Sequence, residues 1–290
     1  MFQYAAGLFY AGQCNAQMHL AIDPPHSAHS YGHPRPFLLP HFAITAKYRE
    51  MNAVEKYLLL NEHRRLAPAA KAFLRDRVFQ RGLRVQIVEE SLEQRFRFQA
   101  TLPLNREMQA TYLLGYWQVH NIAERISSLL RKEFAFRDPP SGRNLEVMRL
   151  IQSTANSVSL HIRRGDYTLA AEGNVALPTE YYTRAIAHFA AAMGNPIFFV
   201  FSDDISFAKK NIGGDVSAIF VDHNDELSAH EDLRLMSACR HHIIANSTFS
   251  WWGAWLNSNP SKIVLAPRHW RVANCPSNND LFPPGWLLLE

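Results

Sequence analysis

The sequence predicts an α/β protein with a parallel sheet wound on both faces, and three observations carry that expectation. Short apolar runs recur through the second half, at residues 158–162, 197–201, 218–221, 242–245 and 263–265. Helical patterns lie between them, above all over 180–193 and 230–239. Each of the first four runs hands over to polar residues where it ends. Apolar strands alternating with helices are the pattern of a parallel sheet covered on both sides. In such sheets the ligand sits outside the C-terminal edge of the strands, so the polar exits line one crevice.

The first half is less regular. Residues 23–40 are rich in Pro, His and Ser and read as a loop. Its neighbourhood holds His26, His29, His33 and His41, but no acidic or Cys partner accompanies them, so a solvated loop is preferred to a metal cluster. Residues 47–80 are Arg-rich with a mostly helical pattern, 84–88 and 112–114 read as short strands, and 121–132 shows helical periodicity. The strongest breaker is the run Arg137-Asp-Pro-Pro-Ser-Gly-Arg143. It puts a first domain over 1–142 and a second over 143–290.

The chain has 290 residues, 47% of them hydrophobic and 19% charged. That is ordinary globular composition and excludes disorder, collagen and coiled coil. No apolar run approaches the roughly 18 residues of a membrane span. The first Lys or Arg is Arg35, so no secretory signal is read and a cytoplasmic location is expected. The three cysteines, Cys14, Cys239 and Cys275, are odd in number and far apart, which argues against a disulfide framework. The net charge of +4 conceals an asymmetry. Residues 1–150 carry 20 Lys+Arg against 13 Asp+Glu, and 151–290 carry 10 against 13. A solvated basic surface is the simpler reading. Attraction to an anionic membrane surface or a phosphate-bearing acceptor is the alternative. The basic residues form no zinc-finger, helix-turn-helix or RNP-like pattern, so nucleic acid is not expected as a partner.

The exits hold the residues able to do chemistry. The first reads His161-Ile-Arg-Arg-Gly-Asp-Tyr167. Two guanidiniums at a strand's end suit a phosphate, because the planar fork donates in pairs. Gly165 permits a sharp turn or a close approach. A structural ion pair, Arg164 with Asp166, is the competing reading. The fourth exit, Asn246-Ser-Thr-Phe-Ser-Trp-Trp-Gly-Ala-Trp255, makes Asn246 or Ser247 an N-cap, and a helix N-terminus with hydroxyls can bind phosphate. An ordinary capped helix with Trp251, Trp252 and Trp255 in the core reads equally well. The acidic exits, Asp203-Asp204 and Asp222 to Asp225, are compatible with a metal, with ribose hydroxyls or a guanine edge, or with helix capping. Neither a P-loop nor a G-x-G-x-x-G fingerprint is present.

Taken together, these runs resemble the motif set of the α-1,2-fucosyltransferases, glycosyltransferase family eleven. The resemblance is carried by His161 to Tyr167, Phe201-Ser-Asp-Asp204, and the long stretch from Leu235 to Leu256. Gly115-Tyr-Trp-Gln118, Phe220-Val-Asp-His-Asn224, Val264-Leu-Ala-Pro-Arg-His-Trp270 and the opening Met1-Phe-Gln-Tyr-Ala-Ala-Gly7 belong to it as well. It implies a GT-B architecture of two Rossmann-like domains facing a central cleft, GDP-β-L-fucose as donor, inversion at the anomeric carbon and no metal. It places His161 and Arg163 on the donor's pyrophosphate, Asp203 at the nucleoside end, and Ser247, Thr248 and Phe249 against phosphate and base; Arg164 and Asn246 join the donor-binding set from their places at the same exits.

The implied activity is transfer of fucose to the 2-hydroxyl of a galactose-terminated oligosaccharide or lipid-linked glycan, in surface polysaccharide synthesis at the inner membrane surface. Without a metal, positive charge must come from Arg163, Arg164 and a helix N-terminus. Asp166 is the candidate base for the acceptor hydroxyl, with late proton transfer as the alternative. In the family a strand and a G-x-G-N-Q loop usually precede the opening motif. A chain starting at Met1 is therefore expected to lack one wall of the site and to be weakly active. Two alternatives stay open: an inactive GDP- or glycan-binding member of the fold, and a transferase of another GDP-sugar.

Overall fold

The protein is represented by a computed structural model that describes residues 1–22, 36–52, 55–56, 84–91, 93–165, 175–212, 216–270 and 280–290. It divides into two compact units, Met1–Ala135 with Pro276–Phe282, and Phe136–Cys275 with Pro283–Glu290. The division at Ala135 precedes the breaker run, and part of the C-terminal stretch belongs to the first unit. The Asp280 carboxylate accepts from the Phe98 N–H at 2.8 Å, and its carbonyl accepts from the His120 N–H at 2.7 Å.

In the first unit, helix α1 (Phe2–Cys14) buries Phe2, Tyr4, Ala5, Ala6 and Tyr10. It ends where Asn15 turns left-handed, at φ 52°. Two parallel strand pairs follow: β1 (His19–Ile22) with β2 (Lys47–Glu50), and β3 (Val85–Glu89) with β4 (Ala110–Leu114). Lys47–Glu50 was expected to open a helical region. The pairing with β1 overrides that local pattern, and residues 57–80 lie outside the described ones. The helix expected over 121–132 is two helices, α2 (His120–Arg125) and α3 (Ser127–Glu133), broken at Ile126, where ψ is 28°. The buried Glu133 carboxylate joins three segments: it accepts from the Tyr4 hydroxyl at 2.5 Å, the Thr45 N–H at 2.7 Å and the Thr45 hydroxyl at 2.6 Å.

The second unit holds a six-stranded, all-parallel sheet. Its strands are β5 (Ser157–Ile162), β6 (Ile197–Ser202), β7 (Ala218–Phe220), β8 (His241–Ile243), β9 (Val264–Pro267) and β10 (Leu287–Leu289), in the order β10-β9-β8-β5-β6-β7. The expected runs are all present, within a few residues at their ends. The last strand, β10, was not anticipated; its short triple-Leu run becomes a strand by pairing with β9.

Helices cover both faces, as the strand alternation requires. On one face, Val158, Leu160 and Ile162 of β5 and Phe198 and Val200 of β6 pack with Tyr181, Tyr182, Ala185 and Phe189 of α5 (Thr179–Ala192) and Ala208 of α6 (Ile205–Asn211). On the other, Phe199 and Phe201 meet Ile151 of α4 (Gly142–Ser153) and Leu235 and Met236 of α7 (Ala229–Ala238). Helix α8 (Thr248–Leu256) buries Trp251, Trp252 and Trp255, so these tryptophans are core. Gly253 lets α8 come against α7: a Cβ there would sit 3.1 Å from that of Met236. No helix among the described residues is long and apolar enough to cross a membrane.

The alternate residues of β5 are polar, yet buried. Ser159 Oγ lies 2.8 Å from His242 Nδ1, and the Asn257 amide donates to His242 Nε2 at 2.7 Å. The Asn257 amide occupies Nε2 as donor, so the ring carries its proton on Nδ1 and gives it to Ser159. Burial pushes the His242 imidazole well below its ordinary value of 6.5, and buried His161 is lowered likewise, to about 3. Both rings are therefore neutral in the fold and protonate readily only when unfolded. Their contribution is complete above pH 6.5 and falls as the pH drops towards the folded values, by up to about 1.4 kcal/mol per pH unit for each ring. We expect the urea midpoint to fall steadily from pH 7 to pH 5, and less steeply in His161→Gln; a flat profile would contradict neutral burial.

Candidate functional site

The polar exits of the second unit's sheet meet at the C-terminal ends of β5 and β6. The parallel register pairs Ile162 with Ser202, so Arg163 stands beside Asp203 and Arg164 beside Asp204, just past the ladder. The side chains follow that register. An Arg163 guanidinium nitrogen lies 3.1 Å from Asp203 Oδ2, and Arg164 Nε lies 3.7 Å from Asp204 Oδ2. Asp203 also accepts from the Arg164 backbone N–H through Oδ1, at 2.9 Å. One carboxylate thus holds the side chain of one arginine and the main chain of the next. Gly165 makes room for it: a Cβ there would fall 2.7 Å from Asp203 Oδ2.

Arg164 is directed elsewhere by its stacking. Its guanidinium lies 3.7 Å from the centroid of the Phe207 ring on α6, a cation–π contact that also orients the fork. Asp204 caps that helix, accepting from the Phe207 N–H at 2.9 Å, and its own N–H donates to Ser202 Oγ at 3.0 Å. Of the roles left open for the Asp203-Asp204 pair, capping describes Asp204; Asp203 instead pairs with Arg163, a role the sequence reading did not consider for it.

On the other side of β5 the buried His161 ring lies 5.6 Å from the ring of Phe249. Burial and the Arg163 charge, in that order, keep the imidazole neutral. Ser247 is the N-cap of α8, with its hydroxyl accepting from the Phe249 N–H at 3.4 Å. Thr248 and Phe249 form the first turn and are only partly buried. Asn246 has a scaffold contact: its amide donates to the Val175 and Trp270 carbonyls at 3.0 and 3.3 Å. Asp166, the candidate base, lies outside the described residues, and so does the Arg164–Asp166 pairing. Cys275 and the His26, His29 and His33 cluster lie outside them too.

The other acidic exit is occupied by protein partners. Asp222 receives Lys209 at 2.8 Å and Arg143 at 3.1 Å, and these charges hold its carboxyl below the usual range. Asp225 closes a capping box with Ser228. Among the described residues no three His, Cys, Asp or Glu side chains converge as metal ligands would. One contributor escaped the sequence reading: Phe207 carries no signal beyond an apolar residue on a helix.

This arrangement has the groups that an anion would need: two adjacent guanidiniums, a helix N-terminus with hydroxyls, and an aromatic ring beside a neutral imidazole. A family model, Glycosyl transferase family 11, matches residues 40–290. The chain belongs to glycosyltransferase family 11. It is 39% identical over 144 residues to the O-antigen biosynthesis glycosyltransferase WbnK of Escherichia coli, covering 49% of this chain and 47% of that protein. It is 37% identical over 188 residues to an alpha-1,2-colitosyltransferase of Escherichia coli, covering 61% and 62%. It is 30% identical over 169 residues to the galactoside 2-alpha-L-fucosyltransferase Sec1 of Mus musculus, covering 55% and 45%. The chain thus spans roughly half to three fifths of the length of these relatives.

Replacing Asp204 tests its assignment as a cap. Asp204→Ala should destabilise the second unit by about 1 kcal/mol, while Asp204→Asn, which can still accept from the Phe207 N–H, should cost less. Urea denaturation measures both. An Ala variant as stable as the parent would mean that the cap contributes nothing.

Proposed function

We propose that this family 11 protein is an inverting glycosyltransferase that moves L-fucose from GDP-β-L-fucose to the 2-hydroxyl of a galactoside in surface polysaccharide synthesis. The observation that supports it most is the Arg163–Asp203 and Arg164–Asp204 array beside the α8 N-terminus. A sugar nucleotide reacts by departure of GDP, and the developing charge on the pyrophosphate is what the protein must stabilise. Arg163 and Arg164 supply that charge in forked, fixed form, and the hydroxyls and N–H groups of Ser247 and Thr248 add a second donor face. Phe249, against His161, offers a ring for the base. The acceptor hydroxyl attacks from the opposite face of the sugar and loses its proton to a carboxylate, Asp166 being the candidate, or late to solvent. The two domains would work in the GT-B manner, with the donor on the second. The acceptor would be a galactose-terminated or lipid-linked glycan at the inner membrane surface.

A second reading has its own support. The colitosyltransferase relative is more similar than the fucosyltransferase one, at 37% against 30% identity. Colitose is the 3-deoxy counterpart of fucose, so the nucleotide contacts would be the same and only the contacts to the sugar would differ. Incubation with GDP-fucose and GDP-colitose separately, with a galactoside acceptor and detection of released GDP, separates the two. GDP binding without turnover of either donor would leave a binding protein.

Two outcomes test the chemistry. Lys keeps the charge at position 163 but loses the fork. Arg163→Lys should therefore lower kcat/KM by the equivalent of about 2–4 kcal/mol with the melting temperature unchanged. Near-parental kcat/KM would make the residue structural. We also propose that no metal is needed, because arginines rather than Asp203 and Asp204 face the pyrophosphate. Activity should persist in EDTA; loss restored by Mn²⁺ or Mg²⁺ would overturn the arginine-only account.

A further inference from the structure

In the first unit, the exits of the parallel pair β3 and β4 build a corner outside the residues placed on the donor. Glu90 follows β3, and its N–H donates to the Leu114 carbonyl at 2.7 Å. Its carboxylate crosses to the chain leaving β4: Oε2 accepts from the Tyr116 N–H at 2.9 Å, and both oxygens receive the Trp117 N–H at 3.2 Å. These bonds hold Trp117 at φ 53°, a left-handed backbone that a bulky residue adopts only under constraint. From α1, the Gln3 amide donates to the Gly115 carbonyl at 2.9 Å, and the Tyr10 ring lies 5.9 Å from that of Trp117. The Arg95 guanidinium lies 4.9 Å from the centroid of the Tyr116 ring.

Two polar groups converge in this corner. The Trp117 side chain is 4% exposed, and its Nε1 is shielded from solvent without a hydrogen-bond partner among the described residues. A buried indole N–H ordinarily has one. Glu90 Oε2 faces the same space: a Cβ on Gly115 would lie 3.0 Å from that oxygen and 3.1 Å from Trp117 Nε1. It would also fall 2.5 Å from the Glu90 Cβ, and φ is 154°, so the corner admits no side chain of its own. Glu90, Gly115 and Tyr116 are partly exposed, so a ligand would approach across them. A carboxylate has more lone pairs than two backbone N–H groups use. An acceptor oxygen beside a donor N–H suits a hydroxyl, which both gives and receives hydrogen bonds. A phosphate would be repelled by Glu90, and an ammonium could not accept from the indole.

We propose that this corner is a subsite for a sugar hydroxyl of the glycan acceptor, which donates to Glu90 Oε2 and accepts from Trp117 Nε1. This rests on the reading of the protein as a transferase with a galactoside acceptor, and deepens it by naming residues that hold that acceptor.

Titration of the full chain with lactose, a galactose-terminated disaccharide, tests the contact directly. In isotope-labelled protein the indole N–H resonance of Trp117 should move saturably with lactose and not with GDP. A resonance that lactose leaves in place, or that GDP moves instead, overturns the inference. Kinetics give an independent test. In Glu90→Gln the amide oxygen can still take both N–H groups from the Oε2 position, but without the charge. Its KM for lactose should rise about ten-fold, the difference between a charged and a neutral acceptor, while the KM for the sugar nucleotide changes less than about two-fold. Trp117→Phe removes the donor and leaves a smaller ring in the core, so its melting temperature should fall, yet the same split between the two KM values should appear. An unchanged lactose KM in Glu90→Gln, or an equal rise in both KM values, overturns the inference and leaves the transfer reading intact. No GDP release by the parent with lactose and either donor overturns that reading and the inference with it.

Discussion

The register between β5 and β6 is the constraint on which the site depends. Pairing Ile162 with Ser202 makes Arg163 and Asp203, then Arg164 and Asp204, the next positions beyond the sheet. Two adjacent guanidiniums at a strand end repel each other and have left the ladder that held their backbone. The facing Asp-Asp sequence answers both problems. It gives each arginine a carboxylate, and Asp203 also takes the Arg164 N–H, so the chain stays ordered past the last ladder bond. A slip of one residue would reverse every side chain of β5 between faces and remove the charge match together with the core packing.

Behind that edge, the two sides of β5 have different work. Val158, Leu160 and Ile162 pack on α5 and its neighbours, while Ser159 and His161 face the other way. A strand buried on both faces can carry polar residues only if each is satisfied or kept neutral. Ser159, His242 and Asn257 meet this condition by forming one closed network between β5, β8 and the end of α8. Their Ser–His–Asn chemistry resembles a nucleophile with its base, but all three are buried, so the network locks strands together and does not face substrate. His161 meets the condition by remaining neutral against Phe249.

Much of this was legible in the sequence, and the exceptions have physical causes. The strands of the second unit were readable from short, largely apolar runs set between helical patterns: β6 and β7 are continuous runs that reach polar residues, whereas β5 alternates with Ser159 and His161 and β8 opens on two histidines. Arg163, Arg164, Asp203 and Ser247 were readable because they lie within the first two polar positions after those runs. What the sequence did not reveal depends on pairing across the chain. The division of Asp203 and Asp204 between arginine clamp and helix cap is set by register and by the space Gly165 leaves, neither of which is a composition signal. Lys47–Glu50 looked helical because local propensity is a weak prior against pairing with His19–Ile22. The break at Ile126 and the return of Asp280 to the first unit are likewise tertiary effects.

The strength of the Arg163–Asp203 pair bears on function as much as its presence does. Both side chains remain partly accessible to solvent, and pairs of that kind contribute on the order of 1 kcal/mol or less. A deeply buried pair would be expensive to open, because removing one partner strands the other charge away from water. The clamp is therefore strong enough to hold Arg163 in one orientation and weak enough to be exchanged. A phosphate oxygen that accepts the same two-pronged fork offers the guanidinium a better partner than a single carboxylate oxygen does. On the proposed reading, such an exchange would keep the arginine near its place while changing what it binds. Preorganisation of this kind spares the cost of orienting a long side chain when the ligand arrives. Gly165 serves the same end, since the approach of Asp203 leaves no space there for a side chain.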